Sequence, residues 1–168
     1  YAFEHRLNDV WQFRQNLRYT KSDLSFQAIT VGSYPFTEVD DEGNVGRTTT
    51  STDEDISQFA VDNNFQADFA TGEISHTVLL GLDHQRTNTN YTSIFGSAPP
   101  INVNDPAHGL PITRPPRSSA FYDYDQKTYQ TGLYVQDQMA LDQWRLTLGG
   151  REDWVHTGTR FFNHDDAT

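Results

Sequence analysis

Hydrophobicity in this chain alternates with a period of two, and helical periodicity is nearly absent. From Val10 onward the odd positions are Trp11, Phe13, Gln15, Leu17 and Tyr19, and the even ones are Gln12, Arg14, Asn16, Arg18 and Thr20. Successive side chains of a strand point to opposite faces, so one face of this segment is mainly apolar and aromatic and the other wholly polar. The split recurs. Phe59, Val61, Phe65, Ala67 and Phe69, interrupted by Asn63, oppose Ala60, Asp62, Asn64, Gln66 and Asp68. Val78, Leu80 and Leu82 oppose Thr77, Gly81 and Asp83, with Leu79 on the polar face. Tyr129, Thr131, Leu133, Val135 and Met139 oppose Thr128, Gln130, Gln136 and Gln138, and Trp144, Leu146, Leu148 and Trp154 oppose Arg145, Thr147, Arg151 and Asp153. A chain written this way is an antiparallel all-β protein.

The joints alternate as well. Leu7-Asn8-Asp9, Ala70-Thr71-Gly72-Glu73 and Leu141-Asp142-Gln143 carry the Asn, Asp and Gly of tight turns. Between them lie long polar stretches, near 37–48 and 96–125, the second holding most of the prolines. Short turns at one end and long loops at the other are the layout of outer-membrane barrels. A soluble sandwich or lipocalin-like barrel also alternates, but there the aromatic residues have no required height. Here Trp11, Phe69, Met139 and Trp144 each lie close to a short turn, and Tyr19, Phe59, Tyr129 and Trp154 follow on the same faces. The spacing is roughly eight to ten residues, close to the ~9–11 that a tilted strand uses to cross a bilayer between two aromatic girdles.

The polar rows carry Arg14, Arg18, Asp62, Asp68, Asp83, Arg145, Arg151 and Asp153. Unpaired burial of so many charges in a packed core would be prohibitive, whereas a wet lumen or the polar surface of a plug suits them. No run approaches the roughly 20 apolar residues of a spanning helix. The formal charge of −11 argues against nucleic-acid binding. The absence of Cys excludes disulfides and thiolate metal sites. No phosphate-binding loop, His-Glu-x-x-His or nucleophile elbow is present, so no enzyme is expected. Asp53-Glu54-Asp55, His164-Asp165-Asp166 and the calcium-loop-like Asp40-Asp41-Glu42-Gly43-Asn44 lack a recognised ligand spacing. Neither a metal nor a cofactor is expected.

Four segments together resemble a known family. They are Arg14–Tyr19, Phe69–Asp83, Thr131-Gly132-Leu133-Tyr134-Val135-Gln136-Asp137-Gln138 and Thr147-Leu148-Gly149-Gly150-Arg151-Glu152-Asp153-Trp154. In order and spacing they are similar to the TonB-dependent ferric-siderophore receptors, particularly the ferrichrome and ferrioxamine (hydroxamate) type. The resemblance implies an outer-membrane barrel of about 22 strands with a plugged lumen, which imports iron chelates with energy passed from TonB. Residues 1–168 would then be a partial barrel domain of about six transmembrane strands from its first half. Tyr1–His5 already reads as strand, which fits a segment of something longer. The plug and the TonB-contacting segment would lie outside it. The implied partners are a ferric siderophore, TonB through that plug, and outer-membrane lipid. The alternatives are a general porin, or another barrel that works without TonB, and a soluble β-sheet binding module.

A ferric hydroxamate siderophore is a bulky, roughly neutral chelate with an apolar rim. Aromatic side chains at the outer end of a lumen can grip it without hydrogen-bond specificity. The ligand-binding candidates therefore need inward parity and a place near the long loops. Phe95 continues the odd row of Thr77, Gly81 and Asp83, and in the ferrichrome receptors an aromatic before Gly, here Ile94-Phe95-Gly96, lines the pocket. Tyr34 and Phe36 lie on the even row begun by Gln12, where the family has pocket tyrosines by position and parity. Phe26 shares that parity lower down, and Tyr122 and Tyr124 are further candidates.

Overall fold

The alternating stretches become six strands in the computed structural model, which describes residues 1–31 and 38–162. They are β1 (Ala2–Arg6), β2 (Trp11–Val31), β3 (Asn44–Thr71), β4 (Ile74–Asn102), β5 (Ala120–Leu141) and β6 (Trp144–Phe161). All belong to one sheet in the order β1-β2-β3-β4-β5-β6, so each strand pairs with its neighbours in sequence. The register of β1 on β2 is antiparallel and sets Glu4 opposite Arg14 and Phe3 opposite Gln15.

The tight turns fall where the sequence placed them. Asn8 Oδ1 accepts the backbone N–H of Val10 at 2.9 Å and of Trp11 at 2.8 Å. The β3–β4 and β5–β6 hairpins each begin with a left-handed residue, Gly72 (φ 63°) and Asp142 (φ 49°). The long loops differ from expectation. Residues 44–48, 96–102 and 120–125 are strand, and the irregular connection between β4 and β5 shrinks to 103–116 and a single 3-10 turn, Arg117–Ser119. Polar, proline-rich composition reports exposure, but strand pairing is decided by cross-strand partners. Thr30 and Thr48 share a hydrogen bond at 2.9 Å, and Arg47 Nε donates to the carbonyl of Pro99 at 2.7 Å. With 21, 28, 29 and 22 residues, β2 to β5 exceed the ~9–11 needed to cross a bilayer.

Two compact units divide the chain. The first comprises Tyr1–Lys21, Ser57–Asn88 and Gln126–Gly158. Among the described residues nothing covers its apolar rows: Leu82 and Val135, on interior strands of the sheet, are each 49% exposed. A soluble sandwich would cover them with a second layer, but the buried apolar side chains among the described residues are Val45, Ala67, Ile94 and Ala98. The polar residues that interrupt the apolar rows are paired with one another. Gln15 Nε2 donates to Asn63 Oδ1 at 2.6 Å, His84 Nδ1 meets Thr131 Oγ1 at 2.9 Å, and His76 Nδ1 meets Asp137 Oδ2 at 2.9 Å. Phe69 stacks on His76 at 5.0 Å. A polar group facing hydrocarbon must find its partner within the protein.

The opposite rows of this unit form a charged network. Arg151 Nη1 donates to Asp83 Oδ2 at 2.7 Å and its Nη2 to Asp153 Oδ1 at 2.6 Å. Its guanidinium lies 5.7 Å from the centre of the Tyr134 ring. The Tyr134 hydroxyl donates to Asp62 Oδ1 at 2.8 Å. Gly81 makes this possible, because a Cβ there would collide with the Tyr134 ring. Nearer the short turns, Arg14 bridges Glu4 at 3.1 Å and Gln66 at 2.9 Å, and Asp68 accepts from Gln66 at 2.9 Å and Thr77 at 2.7 Å. Six of the eight charges read as inward are thus tied to neighbours on these rows.

The second unit comprises the described residues of Ser22–Ile56, Thr89–Asp125 and Thr159–Thr168. Asp40, in the acidic run before β3, closes a turn on itself. Its Oδ1 accepts the N–H of Glu42 at 3.0 Å and of Asn44 at 2.7 Å. These donors, Asn44 foremost, hold its carboxyl below the usual aspartate range. The run is therefore a turn motif, which is why it looked like a loop that binds a cation.

Replacing Gln15 by Leu should destabilise the sheet by about 1–3 kcal/mol, since it leaves the Asn63 side chain without its cross-strand donor. The double change Gln15→Leu with Asn63→Leu should recover most of the loss. Urea unfolding from lipid vesicles measures both, and equal losses in the single and double variants would refute the pairing.

Candidate ligand-binding face

In the second unit, β4, β5 and β6 carry aromatic side chains on one face. Phe95 is 49% exposed and its ring lies 5.6 Å from that of Phe121, edge-on at 73°. Phe121 meets Tyr122 at 4.7 Å. A second cluster follows along the same strands: Tyr91 stacks on Tyr124 at 5.2 Å, and Tyr124 lies 5.7 Å from Phe161. Phe95 and Tyr122 thus fall in the first cluster, joined through Phe121, and Tyr124 in the second. Tyr34 and Phe36 lie outside the described residues. Phe26 is exposed on β2 and makes no ring contact with either cluster.

Three members escaped sequence reasoning. Tyr91 sits on the row of Phe95, and parity alone could have found it. Phe161 is on the odd row of β6 with Arg151 and Asp153. Phe121 shares the parity of Asp123, yet its ring reaches Phe95. It is the second residue of β5, directly after the 3-10 turn, where alternation has only begun. Burial raises the pKa of the Tyr124 phenol, with smaller contributions from Tyr91 and Glu54. The Tyr124 side chain therefore stands on this face as a neutral phenol.

The other side of the same sheet is covered by the segment before the 3-10 turn. Arg114 contacts Asp53, which also accepts from Ser25 Oγ at 2.9 Å. Pro115 closes over Gly96, where a Cβ would come within 2.7 Å of its ring and 2.8 Å of Thr49 Oγ1. Arg117 grips Asp123 with two N–H groups, Nε at 2.8 Å and Nη2 at 2.6 Å. A cavity of about 630 Å³ remains under this strap, bordered by Asp23, Asp53, Asn90, Ile94 and Arg114. Its Asp53 and Arg114 satisfy each other, which makes it a seam beneath the strap and a weaker ligand site than the open aromatic face. Arg114 first, and then Ser25, hold the Asp53 carboxyl below the usual range. The Arg117 guanidinium is held above its ordinary range by Asp123. Asp53, singled out in the sequence within an acidic triplet, is thus a strap anchor.

A wide antiparallel sheet with bare apolar rows on one face, charged rows on the other and an aromatic cluster on its long strands is a sector of an outer-membrane β-barrel. Residues 1–168 match the family described as TonB dependent receptor-like, beta-barrel, and the chain belongs to that family of bacterial outer-membrane proteins. It is 34% identical to a ferrioxamine receptor of Yersinia enterocolitica, over 94% of this chain and 22% of that protein. It is 35% identical to the ferrichrome outer membrane transporter/phage receptor of Escherichia coli K12, over 92% of this chain and 23% of that protein. In fold it is similar to the siderophore receptor PiuA of Acinetobacter baumannii, with a TM-score of 0.79 and 21% identity, over 99% of this chain and 26% of that one. The chain thus spans about a quarter of the length of the proteins it matches. These relatives are receptors and transporters by name.

The strap should respond to acid in a defined direction. A carboxyl whose pKa is lowered on folding contributes stability above its unfolded value, about 3.9, and loses it as the pH falls through the folded value. The Arg114 guanidinium N–H resonances should therefore keep their Asp53-bound positions at neutral pH and lose them only below about pH 4. In Asp53→Asn they should be displaced already at pH 7, and unchanged resonances in that variant would exclude Asp53 as the anchor.

Proposed function

We propose that this chain forms part of the wall of a TonB-dependent outer-membrane receptor for ferric hydroxamate siderophores. Its sheet would be one sector of a larger closed barrel, completed by further strands and a plug through which TonB acts. Closure follows from lipid itself, in which a sheet edge would leave peptide groups unsatisfied. The observation that carries the ligand reading is the aromatic face. Phe95, Phe121 and Tyr122 form one exposed cluster, and Tyr91, Tyr124 and Phe161 form a second, part-buried one beside it. Exposed aromatic patches of this kind mark binding surfaces. Flat rings suit a neutral chelate with an apolar rim, because they offer contact area at little conformational cost.

The chemistry of the face fits a chelate better than bare iron. A siderophore already fills the coordination sphere of ferric iron, so the receptor need supply no ligand. The Tyr124 phenol, kept protonated by burial, is a poor competitor for the metal. Iron is cargo in this reading, and the protein has no resident cofactor and no catalytic step. The names of the relatives that cover nearly the whole chain, a ferrioxamine receptor and a ferrichrome transporter, support the hydroxamate class.

Ferrichrome and ferrioxamine B, titrated into the purified receptor and followed by quenching of intrinsic fluorescence, test the assignment. Phe95→Ala and Tyr124→Ala should each weaken binding of at least one of them roughly tenfold, the factor set by ~1.4 kcal/mol. Wild-type affinity for both ligands in both variants would remove the aromatic face from the site.

A further inference from the structure

The strap and the aromatic face occupy opposite sides of the same strands in the second unit, and a single residue of β5 joins them. Asp123 lies between Tyr122 and Tyr124. Its side chain is 2% exposed, while that of its partner Arg117 is 63% exposed. Besides the two Arg117 N–H groups, its carboxylate accepts from Thr92 Oγ1 of β4 at 3.3 Å. Arg117 is itself held in the 3-10 turn: the Ala120 N–H bonds its carbonyl, and Ser119 N–H bonds that of Pro116 at 3.0 Å. The backbone carbonyl of Asp123 accepts from Phe162 N–H at 2.9 Å, and the Arg117 guanidinium lies 6.0 Å from the Phe162 ring. Phe161, one residue earlier, is the ring that Tyr124 rests on.

We propose that Arg117 and Asp123 are a positioning pair for ligand binding, setting from the strap side how Tyr122 and Tyr124 stand on the aromatic side. Consecutive strand residues project to opposite faces. Clamping the Asp123 side chain therefore fixes the pleat at that residue, and with it the directions of both neighbouring tyrosines. The clamp is stiff because guanidinium and carboxylate meet as a two-bond fork. A buried carboxylate also favours the arrangement that keeps its charged partner. Arg114 offers an internal contrast. It borders the same cavity as Arg117 but binds Asp53 on β3 and not a residue of β5.

The inference rests on the reading of the aromatic face as the ligand site, and the experiment separates the two. Ferrioxamine B and ferrichrome are titrated into the intact receptor, with near-ultraviolet circular dichroism recording the tyrosine environment. Arg117→Ala should weaken binding roughly tenfold, equivalent to ~1.4 kcal/mol, and alter the tyrosine dichroism. Arg117→Lys should lose less affinity, since it keeps the charge but not the fork. Arg114→Ala should bind within about twofold of wild type, a difference too small to register against a tenfold effect. Should Arg117→Ala fail to assemble, the near-isosteric Asp123→Asn carries the same expectation of loss. Wild-type affinity in Arg117→Ala or Asp123→Asn, while Phe95→Ala and Tyr124→Ala are weakened, overturns the positioning role and leaves the aromatic face standing. An equal loss in Arg114→Ala also overturns it, because the effect would then belong to the strap in general. Silence of the aromatic variants themselves removes the ligand face, and the positioning role falls with it.

Discussion

In hydrocarbon, a peptide N–H or C=O without a partner costs several kcal/mol. The sheet meets this constraint by pairing each strand with its neighbours in sequence, through short joints alternating with longer connections, in the order β1-β2-β3-β4-β5-β6. Much else follows from that choice. Pairing of sequential strands gives two faces, and along most of their length parity separates apolar rings from charged groups. The same rule extends to side chains. Gln15 and Asn63, His84 and Thr131, and His76 and Asp137 interrupt the apolar rows, and each finds its partner across a strand boundary.

On the opposite rows the charges do structural work. Arg151 reaches Asp83 on β4 and Asp153 on its own strand, and Tyr134 joins β5 to Asp62 on β3. Such links restrain the strands by cross-strand bonds between side chains. They also show why a chain of net charge −11 can hold so many acidic groups on one face. Several of them share the few arginines that the same rows provide.

Most of the fold was legible because period-two patterning is a direct imprint of the pleat. The rows led by Trp11, Phe59, Tyr129 and Trp144 specified four strands and their faces, and Asn8, Gly72 and Asp142 marked the joints. The ends of the strands were less legible. Pro99 and Pro100 signal a loop, but β4 runs through them because Arg47 and the neighbouring backbone supply partners there. Phe95 was readable from its parity and from Ile94-Phe95-Gly96. Tyr91 was open to the same parity, whereas Phe161 was hidden because an aromatic ring joins a cluster by contact across strands, which the order of residues along one strand does not encode. The strap was hidden for the same reason: Arg114 and Arg117 look like scattered loop cations until Asp53 and Asp123 are placed beneath them.

The ring of Tyr134 lying across Gly81 has a consequence for how this family of sequences can drift. No side chain larger than hydrogen fits at position 81 while the phenol stays, and the phenol cannot leave without releasing its bond to Asp62 and its contact with Arg151. Neither position can therefore change alone at low cost. Across homologues the two should vary as a coupled pair, glycine with an aromatic or a larger residue with a smaller partner. That signature would be readable in an alignment without any structure at all.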